Sequence, residues 1–101
     1  MVIVAGHATV EPHQREAYLA ESGMIVEQAR RMSTGCLDVA VSADLIDPRR
    51  VNIFERWESQ AVLETFRRNS LSNQQFPAVL SLSLAEYDVA DVRPLSWTST
   101  A

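Results

Sequence analysis

His7, Glu55 and Trp57 are the residues of this chain whose types and settings point to chemistry. Glu55 stands in Val51 to Trp57, which alternates as a strand. Val51, Ile53, Glu55 and Trp57 fall on one parity; Asn52, Phe54, Arg56 and Glu58 fall on the other. A carboxylate between an isoleucine and a tryptophan on one strand face is costly to bury unless it has a partner or a task. In the functional reading Glu55 orients an imidazole or accepts a substrate proton. In the plainer one it forms an ion pair with Arg15, Arg31 or Arg93. His7 has the same two sides. An imidazole can take a phenol or quinol proton near neutral pH, but a strand histidine among small apolar neighbours also serves as a hydrogen-bonded core residue.

Aromatic side chains supply the walls such a site would need. Trp57, Phe66, Tyr18 and Tyr87 are each either core or pocket lining, and sequence does not separate the two. Cys36, beside Gly35, reads as inert, since a reactive thiol wants positive charge nearby. The pairs Arg30-Arg31, Arg49-Arg50 and Arg67-Arg68 close elements and read as solvated ends.

The elements that must position these residues follow from periodicity. Val2 to Val10 (VIVAGHATV) is apolar on both parities, as expected of a central strand covered on both sides. Pro12 suits a first helical turn, and Tyr18, Ser22, Ile25, Ala29 and Met32 form a stripe at helical spacing up to Ser33-Thr34-Gly35. Gly23 inside that helix marks either close packing or a bend. Cys36 to Ala43 is a second strand, and Asp47-Pro48 turns the chain into the third. Ser59 caps a helix from Gln60 to about Asn69 that buries Val62, Leu63 and Phe66. Gln74 to Leu80 resumes a helical turn, and Leu82 to Val92 is a last, edge strand.

The order is βαββαβ: an α+β, ferredoxin-like sandwich with an antiparallel four-stranded sheet, both helices on one face, and the first and third strands central. The other face stays apolar and calls for a second copy, a homodimer joined sheet to sheet. If His7 and Glu55 project to the same side, they share one cavity with Trp57 between sheet and helices. A slip of one residue puts His7 on the dimer side instead.

Composition narrows the function. With 101 residues, 47% of them hydrophobic, there is room for one domain over 1–101, residues 93–101 forming a tail. The net charge of -4 argues against nucleic acid. All nine basic residues are arginine, which removes lysine Schiff-base chemistry and the Walker phosphate loop. Two histidines and one cysteine make a poor metal set, so no cofactor is expected. No run reaches membrane-spanning length and the apolar start is too short for a signal peptide, so the expected location is cytoplasmic.

Gly35 to Ser59, GCLDVAVSADLIDPRRVNIFERWES, followed by the Ala61–Phe66 helix and Glu86-Tyr87-Asp88-Val89, resembles the antibiotic biosynthesis monooxygenase domain family. The resemblance runs from Val4 to Val89 and is most specific at Gly35-Cys36-Leu37, at Asp44 with Asp47-Pro48, and at Glu55-Arg56-Trp57. It implies a dimeric ferredoxin-like fold, the dimeric α+β barrel. It also implies, for some members, cofactor-free oxygenation of phenolic or hydroquinone substrates, with a tryptophan at the position of Trp57 bordering the pocket. Many members carry a histidine on the second helix and another beyond it. Here Phe66 takes the first place and no histidine follows, so the haem-degrading branch of relatives does not fit. Two functions remain: a cofactor-independent monooxygenase acting on a small electron-rich aromatic with molecular oxygen, His7 being the base and Glu55 its partner, or a non-catalytic dimeric ligand-binding or accessory module.

Overall fold

A computed structural model describes residues 1–32, 34–69 and 79–98 of the chain. Its elements are β1 (Val2–Val10), a single 3-10 turn at Pro12–Gln14, α1 (Arg15–Met32), β2 (Cys36–Ala43), β3 (Arg50–Trp57), α2 (Gln60–Asn69) and β4 (Val79–Asp88). The four strands form one antiparallel sheet in the order β2-β3-β1-β4, the βαββαβ arrangement expected from the sequence, with β1 and β3 central. Pro12 sits in the first turn, where its missing N–H has no helical partner to lose. At the other helix, Ser59 Oγ accepts the Val62 N–H at 3.2 Å and caps α2.

Register decides which residues the helices cover. Val2 pairs with Trp57, Val4 with Glu55, Gly6 with Ile53 and Ala8 with Val51, and these positions face the helices. Two apolar clusters fill that side. One joins Val2, Val4, Ala29, Val39, Trp57 and Leu63; the other joins Ala8, Val10, Tyr18 and Val51. Both helices therefore lie on one face, α1 against β2 and α2 against β3. α2 reaches β4 through Arg67 and Gln60, which donate to the Glu86 carboxylate at 2.7 and 3.3 Å, while Leu82 and Leu84, on the helix side of that strand, stay exposed.

The last strand differs from the sequence expectation. It begins at Val79 and ends at Asp88, because β1 offers pairing partners only from Val10 back to Val2. Val79 and Leu80 are strand where a helical turn was expected; residues 74–78 of that turn lie outside the described residues, as does Ser33. Gly6 lies where β1 and β4 come closest: a Cβ on it would fall 1.9 Å from the Ser83 carbonyl oxygen. Gly35 has φ +98°, and a side chain there would press on Glu58 and Val62 of the α2 entry.

The β2–β3 turn is built on Asp44. Its carboxylate accepts the Asp47 N–H at 2.9 Å, the Ile46 N–H at 3.1 Å and Asn52 Nδ2 at 2.9 Å. Arg15 of α1 donates to the Asp47 carbonyl at 3.0 Å and ties the turn to the first helix. The Asp47 N–H, then Asn52 and the Ile46 N–H hold the Asp44 carboxyl down at about 2, with Arg50 adding a smaller pull.

Two outcomes follow. A folded-state pKa below the ordinary value of 3.8 means that Asp44 contributes stability above that value and loses it as pH falls towards about 2. In thermal melts across that window, Asp44→Asn should show a shallower loss of Tm than the parent chain. Gly23 sits on the exposed side of α1, where a Cβ meets nothing within 4 Å, so close packing is not its reason. Gly23→Ala should raise stability by about 0.5–1 kcal/mol in urea titration.

Candidate functional site

The Trp57 indole is fully buried, and its N–H needs an acceptor in an otherwise apolar setting. Glu55, two residues back on the same strand face, provides it: Nε1 donates to Oε1 at 2.9 Å. Phe66 of α2 packs on the indole with ring centroids 5.1 Å apart and planes at 36°. Across the sheet Glu55 has Val4 on one side and Val39 on the other. Along β3 it separates Ile53, which packs on the second apolar cluster, from Trp57, which belongs to the first. The carboxylate therefore occupies the seam between two apolar masses. Among the described residues only the Trp57 indole donates a hydrogen bond to it.

Beyond Val4 the same face continues to Glu86 of β4, which accepts from Arg67 of α2 at 2.7 Å. Gly6 contributes no side chain beside Ile53, and its partner Leu84 is exposed on the same face. Chemically the arrangement offers a fixed carboxylate beside apolar surface, able to accept a hydrogen bond or a proton. Cys36 lies on the same face opposite Trp57, and burial, then the Glu55 and Asp38 carboxylates, push its thiol up. That agrees with an inert thiol.

The structure divides the residues picked from sequence. Glu55, Trp57 and Phe66 come together. His7 does not join them: it pairs with Asn52 and Ser83 on the open face of the sheet, with Ile3, Ala5 and Thr9. His7 and Glu55 are thus on opposite faces, and the single cavity holding both is corrected to a site with Glu55 alone. The cause is parity: β1 presents Val2, Val4, Ala8 and Val10 to the helices, so every odd-numbered residue of it faces away. Tyr87, opposite Ile3, is on the open face too. Tyr18 is on the helix side but in the other cluster, beside Ala8, Val10 and Val51. Burial pushes its hydroxyl up, and a hydrogen bond with Ser22 works against that.

Among the described residues, none of the arginines considered from sequence is seen to pair with Glu55. Arg15 serves the β2–β3 turn, and Arg31 pairs with Glu27 one helical turn away. Two contributors were missed. Gly6, read only as a strand residue, lets β4 pack on β1 with the Ser83 carbonyl where a Cβ would stand, and Leu84 lies exposed beside it on the helix side. The out-of-place glycine in an otherwise continuous apolar run was the available signal. No three His, Cys, Asp or Glu side chains among the described residues converge to hold a metal.

Comparison with known proteins bears on this geometry. The family profile "Antibiotic biosynthesis monooxygenase" matches residues 1–74. Among solved structures, a protein of Deinococcus radiodurans provisionally assigned as an antibiotic biosynthesis monooxygenase superposes with TM-score 0.79 at 21% identity, covering 95% of this chain and 99% of that one. A second structure, named antibiotic biosynthesis monooxygenase, gives TM-score 0.77 at 19% identity, covering 90% of this chain and 100% of that one. A third, from Nitrosomonas europaea and assigned in the same provisional way, gives 0.73 at 16%, covering 90% and 100%. No curated protein sequence matches at a significant level. At these identities the structures speak to the fold, and the profile, spanning 74 of 101 residues, speaks to ancestry: the chain belongs to the antibiotic biosynthesis monooxygenase family.

Proposed function

We propose that the protein is a cofactor-independent monooxygenase of a small phenolic or hydroquinone-type aromatic, working at the helix-side seam around Glu55. The observation that carries this reading is a carboxylate set between two apolar clusters and braced by a buried tryptophan. Glu55 accepts the hydrogen bond and then the proton of a substrate hydroxyl; Trp57 fixes the carboxylate, and the half-buried Phe66 packed on it borders the ring. The deprotonated substrate passes one electron to oxygen, and the radical pair recombines to a hydroperoxide on carbon. For a phenol with a free para position, loss of water then leaves a quinone: one oxygen atom enters the ring, and the other departs as water with both hydrogens. The protein's part is a proton acceptor and a pocket that keeps water from the radical pair.

Phe66 favours a second reading, a non-catalytic binding module. It stands where many family members have a histidine, and it packs on Trp57 as a core residue. Oxygen uptake with a panel of phenols and hydroquinones, without added flavin or metal, separates the two: no uptake with any of them rules out the oxygenase reading. If uptake is seen, Glu55→Gln should lower turnover by roughly 10²–10⁴-fold. The glutamine oxygen still accepts from the indole, so the fold should persist. His7→Ala, on the far side of the sheet, should leave turnover within about twofold, and the opposite ranking would remove Glu55 from the chemistry.

The open face supports the homodimer expected from sequence. It carries Ile3, Ala5, Phe54 and Tyr87, an apolar strip on which Phe54 and Tyr87 are exposed. Sedimentation at micromolar concentration should show a dimer, and a monomer there would end this reading.

A further inference from the structure

His7 is half-buried on the open face of the sheet, and among the described residues no hydrogen bond or ion pair reaches its imidazole. Its neighbours explain why. Opposite it on β3 stands Asn52, whose side-chain oxygen accepts from Arg50 at 2.7 Å and whose amide donates to Asp44 at 2.9 Å. Opposite it on β4 stands Ser83, and the one titratable group on this side of β4 is the Tyr87 phenol, four residues further along. Both helices pack on the other face, so they turn no charged group towards His7.

The charges on the open face are mostly positive. β3 contributes Arg50, paired with Thr9, and Arg56, paired with Ile3. Two carboxylates stand near them. Asp44 is committed to the turn and to Asn52, with Arg50 at 3.8 Å. Asp38, exposed on β2 across from Arg56, leaves the Arg56 Nε without a partner. It lies at the level of Ile3, four residues along β1 from His7, so at least about 13 Å separates their backbones. A proton on His7 therefore adds a third positive charge to a face that offers it no acceptor.

In a monomer, water at the open face accommodates that charge. In a dimer joined through the face, water is withdrawn, and the second copy brings the same two arginines and its own His7. Desolvation and like-charge repulsion then act in one direction, against the imidazolium. We propose that His7 makes the homodimer sensitive to pH: the sheet-to-sheet assembly forms with both imidazoles neutral and comes apart as they take up protons. The dimer binds fewer protons than two monomers, so falling pH favours monomers. The limit is two protons per dimer, a Kd rising towards about 100-fold for each pH unit below the imidazole range. His7 thus acts on assembly, from the face opposite the Glu55 seam.

This inference rests on the sheet-face dimer, and sedimentation equilibrium on the full chain at about pH 7.5 and about pH 5.5 tells the two failures apart. The parent chain should be a dimer at the higher pH, with a Kd at least about 10-fold larger at the lower. His7→Gln, which takes up no proton, should hold its Kd within about threefold over the same range. His13→Gln, in the exposed turn ahead of α1, should behave as the parent does. Proton NMR titration of the parent adds a reading that needs no variant: the His7 ring signal should shift together with dissociation. An imidazole that protonates within the intact dimer overturns the inference. So does a parent Kd that stays flat or falls in acid, or a His7→Gln chain that keeps the parent's slope, and each of these leaves the sheet-face dimer standing. A parent chain that is monomeric at about pH 7.5 overturns both.

Discussion

The contact between the Trp57 indole and the Glu55 carboxylate is the constraint that organises this domain. Among the described residues Trp57 is the largest fully buried side chain, and its cluster draws on every layer of that half of the core: Val2 and Val4 of β1, Val39 of β2, Ala29 of α1, Leu63 and Phe66 of α2. Removing a buried aromatic of this kind typically costs about 3–5 kcal/mol. Its N–H cannot be left bare in such a place, and the nearest acceptor consistent with strand alternation is two residues away on the same face. One hydrogen bond at 2.9 Å thus explains why a charged residue is tolerated in the middle of β3. The same bond fixes the carboxylate's position, the requirement any proton acceptor must meet.

Two sides of one sheet do separate work. The helix side carries the core and the seam at Glu55. The open side carries Ile3, Ala5, His7, Phe54, Arg56 and Tyr87, a mixture too apolar for water and too polar for a sealed interior. Arg56 states the conflict at atomic scale: its Nε is shut off from solvent and has no acceptor. Such an atom is ordinary at an interface and costly in a monomer.

Strand order, helix positions and the Ser59 cap were legible because each rests on a local rule: period, proline at a helix start, a hydroxyl ahead of the first turn. Parity within β3 was legible for the same reason, and it placed Glu55 beside Trp57 correctly. The join between β1 and β3 was not. A strand apolar on both parities gives no sign of which set faces inward, and His7 went to the wrong side of that choice. The Val79 start of β4 is likewise a tertiary effect, decided by how far β1 extends. What divides Tyr18 from Phe66 is position along the sheet, which aromatic residue types do not encode.

The two edges of the sheet are unequal in a way that bears on aggregation. On β2 the Val39 carbonyl is taken by Arg30, whose Nε and Nη2 donate to it at 3.1 and 2.6 Å. A long charged side chain from α1 is folded over that rim, and a foreign strand would have to displace it. Among the described residues the outer rim of β4 shows no such guard, and exposed leucines at positions 80, 82 and 84 stand along that strand. Edge-on growth by added strands therefore has a direction: it is obstructed at β2 and open at β4. Any fibrous or amorphous assembly of this chain would begin from the β4 side.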